Sequence, residues 1–160
     1  PDGAIPHGSD VACRMFADQG VHWLIAHPER NKAVMRNPDI IKPFVDMGCM
    51  LQLTAASVVG AFGRSAGQTA HTLLTRGLAH VVASDAHNLA HRPPRMGEAR
   101  RYLSQHFGMG IAYRLTEENP ARILAERVAE PGEELPLAQP QQTTPAAAPQ
   151  GVIPQRMYAN

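Results

Sequence analysis

The stretch Val81-Val82-Ala83-Ser84-Asp85-Ala86-His87-Asn88 starts as an apolar run and turns at once to a carboxylate and an imidazole; Arg92-Pro93-Pro94 closes it. A short apolar run of this kind suits a buried parallel strand. On a chain still extended there, Asp85 and His87, two residues apart, point the same way. A carboxylate oxygen beside an imidazole nitrogen suits a divalent metal such as Mn²⁺, Fe²⁺ or Zn²⁺. Taken alone, the same residues read equally well as a capping Asp and a hydrogen-bonded His after a strand.

Recurrence favours the functional reading. Gly20, Gly48 and Gly77 each end a helical pattern and lie 28 and 29 residues apart, about one strand-plus-helix unit. An apolar run follows each glycine: Val21 to Ala26, Cys49 to Leu53 and Leu78 to Ala83. Polar residues follow each run: His27-Pro28-Glu29-Arg30, then Gln52 and Thr54 to Ser57, then Ser84 to His87. Parallel strands with polar groups gathered at their C-terminal ends describe an α/β barrel or open α/β sheet with a site on that face.

The chain has 160 residues, 44% of them hydrophobic, and a formal net charge of +1. It can bury the core of one domain, and its charge makes no case for nucleic acid or a membrane surface. No apolar run approaches a membrane span, so a chain not inserted in a membrane is expected, with the cytoplasm as the default location. Cys13 and Cys49 each sit in an apolar setting and read as core thiols in a reducing compartment. Three strand–helix units cannot close a barrel of eight strands. The sequence is therefore expected to be the C-terminal part of a longer domain over residues 1–130. Residues 131–160, with Pro131, Pro136, Pro140, Pro145, Pro149 and Pro154, are expected to be a disordered Pro/Gln/Ala-rich tail.

The helices are expected as follows. Ser9 or Asp10 caps a helix with apolar positions Val11, Ala12, Met15 and Phe16. Lys32 to Arg36 is a short helix, and Asn37-Pro38 opens another. Arg64 to Arg76 turns Ala66, Ala70, Leu73 and Leu74 inward, and a further helix runs from Arg92-Pro93-Pro94 to about Phe107. Ile111 to Leu115 is a short helix, and Asn119-Pro120 starts a separate one, Ala121 to Val128.

Among the candidate site residues, a neutral His27 can give a nitrogen to a metal, and Pro28 stiffens the turn that carries it. Arg30 presents a planar fork matched to phosphate or carboxylate oxygens. Gln52 and Thr54 alternate with apolar residues and suit hydrogen bonding to substrate. Glu29 and Asn88 are read as partners that orient the metal-holding side chains. His22, His71 and His80 read as structural or exposed rather than as ligands.

With these residues in hand, the chain from about Ala12 to Val128 resembles the C-terminal half of a bacterial family. These are the manganese-dependent protein-tyrosine phosphatases of capsule and exopolysaccharide loci, the CpsB/YwqE type within the polymerase-and-histidinol-phosphatase (PHP) superfamily. Its marks here are Ala26-His27-Pro28-Glu29-Arg30-Asn31, Asp46-Met47-Gly48-Cys49, Gln52-Leu53-Thr54-Ala55 with Ser57 and Gly60, Ala83-Ser84-Asp85-Ala86-His87-Asn88 with Arg92-Pro93-Pro94, and Glu118-Asn119-Pro120. Asp-Ala-His alone occurs across the superfamily. The His-Pro-Glu-Arg block together with the Asn-to-Arg-Pro-Pro extension is much more specific to this branch.

The resemblance implies a distorted, TIM-like (β/α)7 barrel of the PHP type, of which this chain supplies three parallel strands with helices. It implies a cluster of up to three metals, Mn²⁺ with Fe²⁺ or Zn²⁺ as alternatives. His27, Asp85 and His87 match ligand positions, and Arg30 and Arg92 match positions beside the phosphate. The implied substrate is the phosphotyrosine tail of a bacterial tyrosine autokinase, and oligomerisation is compatible with the reading. The family's first-strand His-x-His pair and its further early ligands have no counterpart in this sequence, so the 160-residue chain alone is expected to be inactive or nearly so.

Phosphomonoester hydrolysis needs a nucleophile at neutral pH and neutralisation of the charge on the transferring group, and clustered divalent metals provide both. A cysteine phosphatase is disfavoured, because Gln19 and Ala55 stand where a Cys-x5-Arg loop on Cys13 or Cys49 requires arginine. Two alternatives accompany the main reading: a small-molecule PHP phosphatase of the histidinol-phosphatase kind, and an inactive fragment lacking the N-terminal ligands.

Overall fold

In the computed structural model, which describes residues 3–88 and 92–126, three parallel strands lie side by side in the order β1 (Leu24–Ala26), β2 (Met50–Thr54), β3 (Val81–Ala83). Ile25 pairs with Leu51, and Leu53 pairs with Val82. The ladder runs on past the strand ends. His27 N–H donates to the Gln52 carbonyl at 2.8 Å, and His80 N–H to the Leu51 carbonyl at 2.9 Å. The mixed α/β class with parallel strands is therefore as expected, with each strand shorter at its start than its apolar run.

The middle strand is buried on both faces, which is why it reads as nearly continuous apolar sequence. Leu51 and Leu53 are fully buried and join Val34, Phe44, Leu73, Val82 and Leu103 in one core. Removing a side chain such as Leu53 from it would cost roughly 2–5 kcal/mol. The core also holds Cys13 and Cys49, both buried free thiols as expected. Burial, with Cys13 beside it, pushes the Cys49 thiol up to about 12, so it packs as a small apolar group.

Helices α2 (Lys32–Arg36) and α5 (Arg64–Thr75) fall close to where the pattern puts them, and Ala66, Ala70, Leu73 and Leu74 of α5 are buried. Asn31 caps α2 by accepting the Ala33 and Val34 N–H groups. Asn37 does the same for the 3-10 turn Pro38–Ile41, which leads into α3 (Lys42–Asp46). After β2 come the short α4 (Ala55–Val58) and, beyond β3, α6 (Met96–Phe107).

Two expectations are corrected. Neither Ser9 nor Asp10 caps α1 (Ser9–Ala17): Gly8, at φ 83°, takes the cap position, and the Ser9 hydroxyl donates to the Pro6 carbonyl instead. The residue that α1 buries is Cys13, whereas Val11, Met15 and Phe16 are exposed. The chain also runs helically from α7 (Met109–Tyr113) through a π turn (Arg114–Glu118) into α8 (Asn119–Glu126), where a break at Asn119 was expected. Asn119 has helical dihedrals, and its amide donates to the His80 carbonyl at 2.7 Å. The wide turn lies just ahead of Pro120, which has no N–H to give to an ordinary helical ladder. The expected end of that helix at Val128 and the tail 131–160 lie outside the described residues.

His80 is structural, as read from sequence. Its Nδ1 accepts the Leu51 N–H at 3.1 Å, so the ring must be unprotonated at that atom. Burial lowers its pKa, opposed in part by the Leu78 carbonyl. A histidine held below its unfolded value of about 6.5 stabilises the fold fully above that value and loses the contribution as pH falls through the folded one. The expected outcome is that the denaturation midpoint drops between pH 7 and 5, and that the wild-type advantage over His80→Asn shrinks over that range. Urea titrations at several pH values measure it, and a constant difference would rule the assignment out.

Candidate metal and phosphate site

The C-terminal ends of β1 and β3 each turn on a residue with left-handed backbone, His27 at φ 42° and Asp85 at φ 49°. Such conformations cost non-glycine residues of order 1–3 kcal/mol and are held only where surrounding contacts impose them. At His27 the ladder bond to Gln52 and the 3-10 turn Pro28–Arg30 do so, with Arg30 N–H donating to the His27 carbonyl at 3.0 Å. At Asp85 the contacts are ionic.

Asp85 Oδ2 accepts from Arg30 at 3.0 Å and from Arg92 at 2.5 Å, with all three side chains largely buried. Arg92 also donates to the Asp85 carbonyl at 3.1 Å. One carboxylate thus joins residues 55 positions apart along the chain and leaves the trio with an excess positive charge. Both guanidiniums lie over the ring of Phe62, Arg30 at 4.5 Å and Arg92 at 5.8 Å from its centre. Phe62 stands in the turn between Gly60 (φ 77°) and Gly63 (φ 87°), and it is a site residue that sequence reasoning missed. The sequence signal for it is the pair of glycines that bound its turn, Gly60 and Gly63.

Asn88 holds the loop: its Oδ1 accepts the Arg92 N–H at 3.1 Å, and His87 N–H donates to the Arg92 carbonyl at 3.1 Å. Asn88 therefore positions Arg92 through the backbone. Glu29 is fully buried, and its Oε1 takes the Thr54 N–H at 3.0 Å, tying the first turn to the end of β2. Burial pushes the Glu29 carboxyl above the usual range; the Ser57 hydroxyl and the Thr54 amide offset this only in part. Besides Glu29 Oε2, four buried donors make no hydrogen bond among the described residues: Arg92 Nε, Gln52 Nε2 and the hydroxyls of Thr54 and Ser57.

The donor set fits a divalent ion in part. His87 Nδ1 lies 2.9 Å from the Asp85 carbonyl, which can only accept, so Nδ1 carries the hydrogen and the Nε2 lone pair is left for a ligand. Asp85 Oδ1 is the carboxylate oxygen that neither arginine takes. Among the described residues no group of three or more His, Cys, Asp and Glu side chains is close enough to hold an ion. Asp85 and His87 come together after β3, and His27 sits at the end of β1, on the far side of the middle strand, without completing a triad. Gln52 and Thr54 are both buried at the end of β2.

Residues 10–125 match the family described as capsular polysaccharide synthesis, CpsB/CapC. The chain belongs to this family. It is 39% identical over 114 residues to the tyrosine-protein phosphatase YwqE of Bacillus subtilis, covering 69% of this chain and 45% of that one. To the tyrosine-protein phosphatase CpsB of Streptococcus pneumoniae it is 34% identical over 114 residues, 68% of this chain and 47% of that one. A crystal structure from work on YwqE and CpsB, described there as metal-dependent tyrosine phosphatases, superposes with a TM-score of 0.67 at 33% identity, covering 70% of this chain and 45% of that one. The chain spans about half the length of the relatives it matches. The resemblance read from the motifs is thereby established as family membership.

Loss of the shared carboxylate leaves two guanidiniums facing each other without a counter-ion. Asp85→Asn is expected to lower the stability of the metal-free chain by about 1–3 kcal/mol, because each partly buried charge loses its partner. Urea denaturation in a chelating buffer measures this. An unchanged midpoint would mean that the ion pairs contribute nothing to the fold.

Proposed function

We propose that this chain carries the phosphate-holding side of a manganese-dependent protein-tyrosine phosphatase. The observation that supports it most directly is the buried Arg92 Nε, a donor with no acceptor among the described residues, beside a cluster of net positive charge. A buried N–H left without a partner costs about 1–3 kcal/mol. An oxyanion at the strand ends removes that cost and balances the charge. A phosphate does so with geometry matched to the guanidinium fork.

On this reading Arg30 and Arg92 release Asp85 to take the non-bridging oxygens of a phosphotyrosine, and Gln52 Nε2 and Thr54 offer further hydrogen bonds. Arg92 donates from Nε as well as from its terminal nitrogens, which fixes the phosphoryl group in one orientation. The arginines also stabilise the charge that grows on the equatorial oxygens. Asp85, His87 and His27 are the side chains that would hold the metal cluster, which when bound supplies a nucleophile at neutral pH and further charge neutralisation. A distorted (β/α)7 barrel, with these three strands as one part, is the architecture this reading requires. The substrate proposed is the phosphotyrosine tail of a bacterial tyrosine autokinase acting in capsule or exopolysaccharide synthesis. The relatives named as tyrosine-protein phosphatases and the capsular family description support that choice over histidinol phosphate. No helix among the described residues is long and apolar enough to cross a membrane. The two free thiols fit a reducing compartment, and we place the protein in the cytoplasm.

A chimera tests this, with residues 10–125 replacing the matching segment of Bacillus subtilis YwqE. It is expected to hydrolyse a phosphotyrosine peptide in preference to histidinol phosphate and only with Mn²⁺ or a similar ion. Arg30→Ala and Arg92→Ala should each lower kcat/KM by about 10²–10³, the scale for losing one preorganised charge contact in the transition state. His87→Ala should abolish metal-dependent turnover. A folded chimera indifferent to all three substitutions would overturn the reading.

A further inference from the structure

An anchor that keeps the two arginines ready for phosphate must leave their N–H groups free, and Asp85 does not. Its Oδ2 occupies one donor of Arg30 and one of Arg92, so it must let go when an oxyanion arrives. The face of the Phe62 ring is a different kind of anchor. It attracts a guanidinium through the negative charge of its π face, uses no hydrogen-bond donor, and acts within about 6 Å of the ring centre. Arg30 and Arg92 both lie inside that range, at 4.5 and 5.8 Å.

The turn that carries the ring is itself well held. Gly60 N–H donates to Ser57 and Ala61 N–H to Ala56, at 2.9 and 2.7 Å, and Gly63 N–H returns to Gly60 at 3.1 Å. Ala56 and Ser57 belong to the buried α4 directly after β2. The ring is therefore fixed from the middle strand, whereas the arginines come from the ends of the two outer ones.

We propose that Phe62 is a positioning residue for phosphate recognition: an aromatic platform shared by Arg30 and Arg92 that keeps both forks at the strand ends while leaving their N–H groups for an oxyanion. It acts through the arginines, and it rests on the reading of Arg30 and Arg92 as the phosphate-holding pair.

The test uses the 160-residue chain without metal, titrated with phosphotyrosine and with inorganic phosphate while the arginine Nε–H signals are followed by NMR. Phe62→Leu is expected to weaken binding of both ligands about three- to tenfold, and Phe62→Trp to restore it. Because Phe62→Leu can also loosen the turn, a second series places phenylalanine with increasing fluorination at position 62, which drains the π face at nearly constant volume. Affinity should fall stepwise along that series while the denaturation midpoint stays level. Flat affinity across it, with Arg30→Lys and Arg92→Lys both weakening binding, would overturn the role of Phe62 and leave the arginine reading intact. Wild-type binding that is absent, or indifferent to both arginine substitutions, would overturn the arginine reading and this inference with it.

Discussion

A single carboxylate oxygen, Asp85 Oδ2, is shared by two guanidiniums, Arg30 from the turn after β1 and Arg92 from the segment after β3. This contact joins the end of β1 to the end of β3 across the middle strand. It explains why an aspartate tolerates a left-handed backbone there, since the two ion pairs offset the cost of the turn. It also leaves a charge unbalanced in a largely buried place. One negative group cannot neutralise two positive ones, and a low-dielectric surrounding makes that deficit worth more than it would be at the surface.

The rest of the fold serves to keep the three strand ends level. β2 is buried on both sides and locks its neighbours in parallel register, and Glu29 reaches from the turn after β1 to the Thr54 N–H at the end of β2. That bond lies wholly inside the protein, so it acts as a spacer between the arginine-bearing turn and the middle strand. His80 and Asn119 perform a similar task at the other end of β3. The His80 ring accepts from Leu51, and its carbonyl receives the Asn119 amide. The two ends of the sheet are thus tied by polar contacts and its centre by apolar packing.

Much of this was legible in the sequence because it depends on local chemistry. Glycine stops and apolar runs mark the strands and the helix α5, and Asn37–Pro38 marks the turn that leads into α3, since each follows from backbone preference or periodicity over a few residues. Placing Arg30 and Asp85 at the ends of parallel strands brings them to one face, but the ion pair between them is not foreseen, because Asp85 reads as a metal ligand and Arg30 as a phosphate fork. The misses have different causes. The cap of α1 goes to Gly8 because the Ser9 hydroxyl turns back to Pro6, and the helix runs on from α7 into α8 while the Asn119 amide donates to a carbonyl 39 residues away. Phe62 reads as one more apolar residue between two glycines; only the fold of that turn brings it under two arginines.

On the proposed reading, Asp85 has two competing occupations, the arginines on Oδ2 and a metal on Oδ1, and this bears on how such a site switches between resting and bound forms. With both arginines on Oδ2, the carboxylate has part of its charge already spent, which weakens it as a ligand for a cation. A cation drawing on the same carboxylate weakens its hold on the arginines in turn. Release of the forks then leaves two positive groups beside unpaired donors, and the ligand that satisfies them is a dianion with several oxygens. Metal and phosphate therefore favour each other's binding through Asp85, each removing the competitor of the other, as linkage requires of two ligands that share a group. The Phe62 ring limits what that exchange costs in order, because forks that stay on its face lose little further freedom when the phosphate arrives.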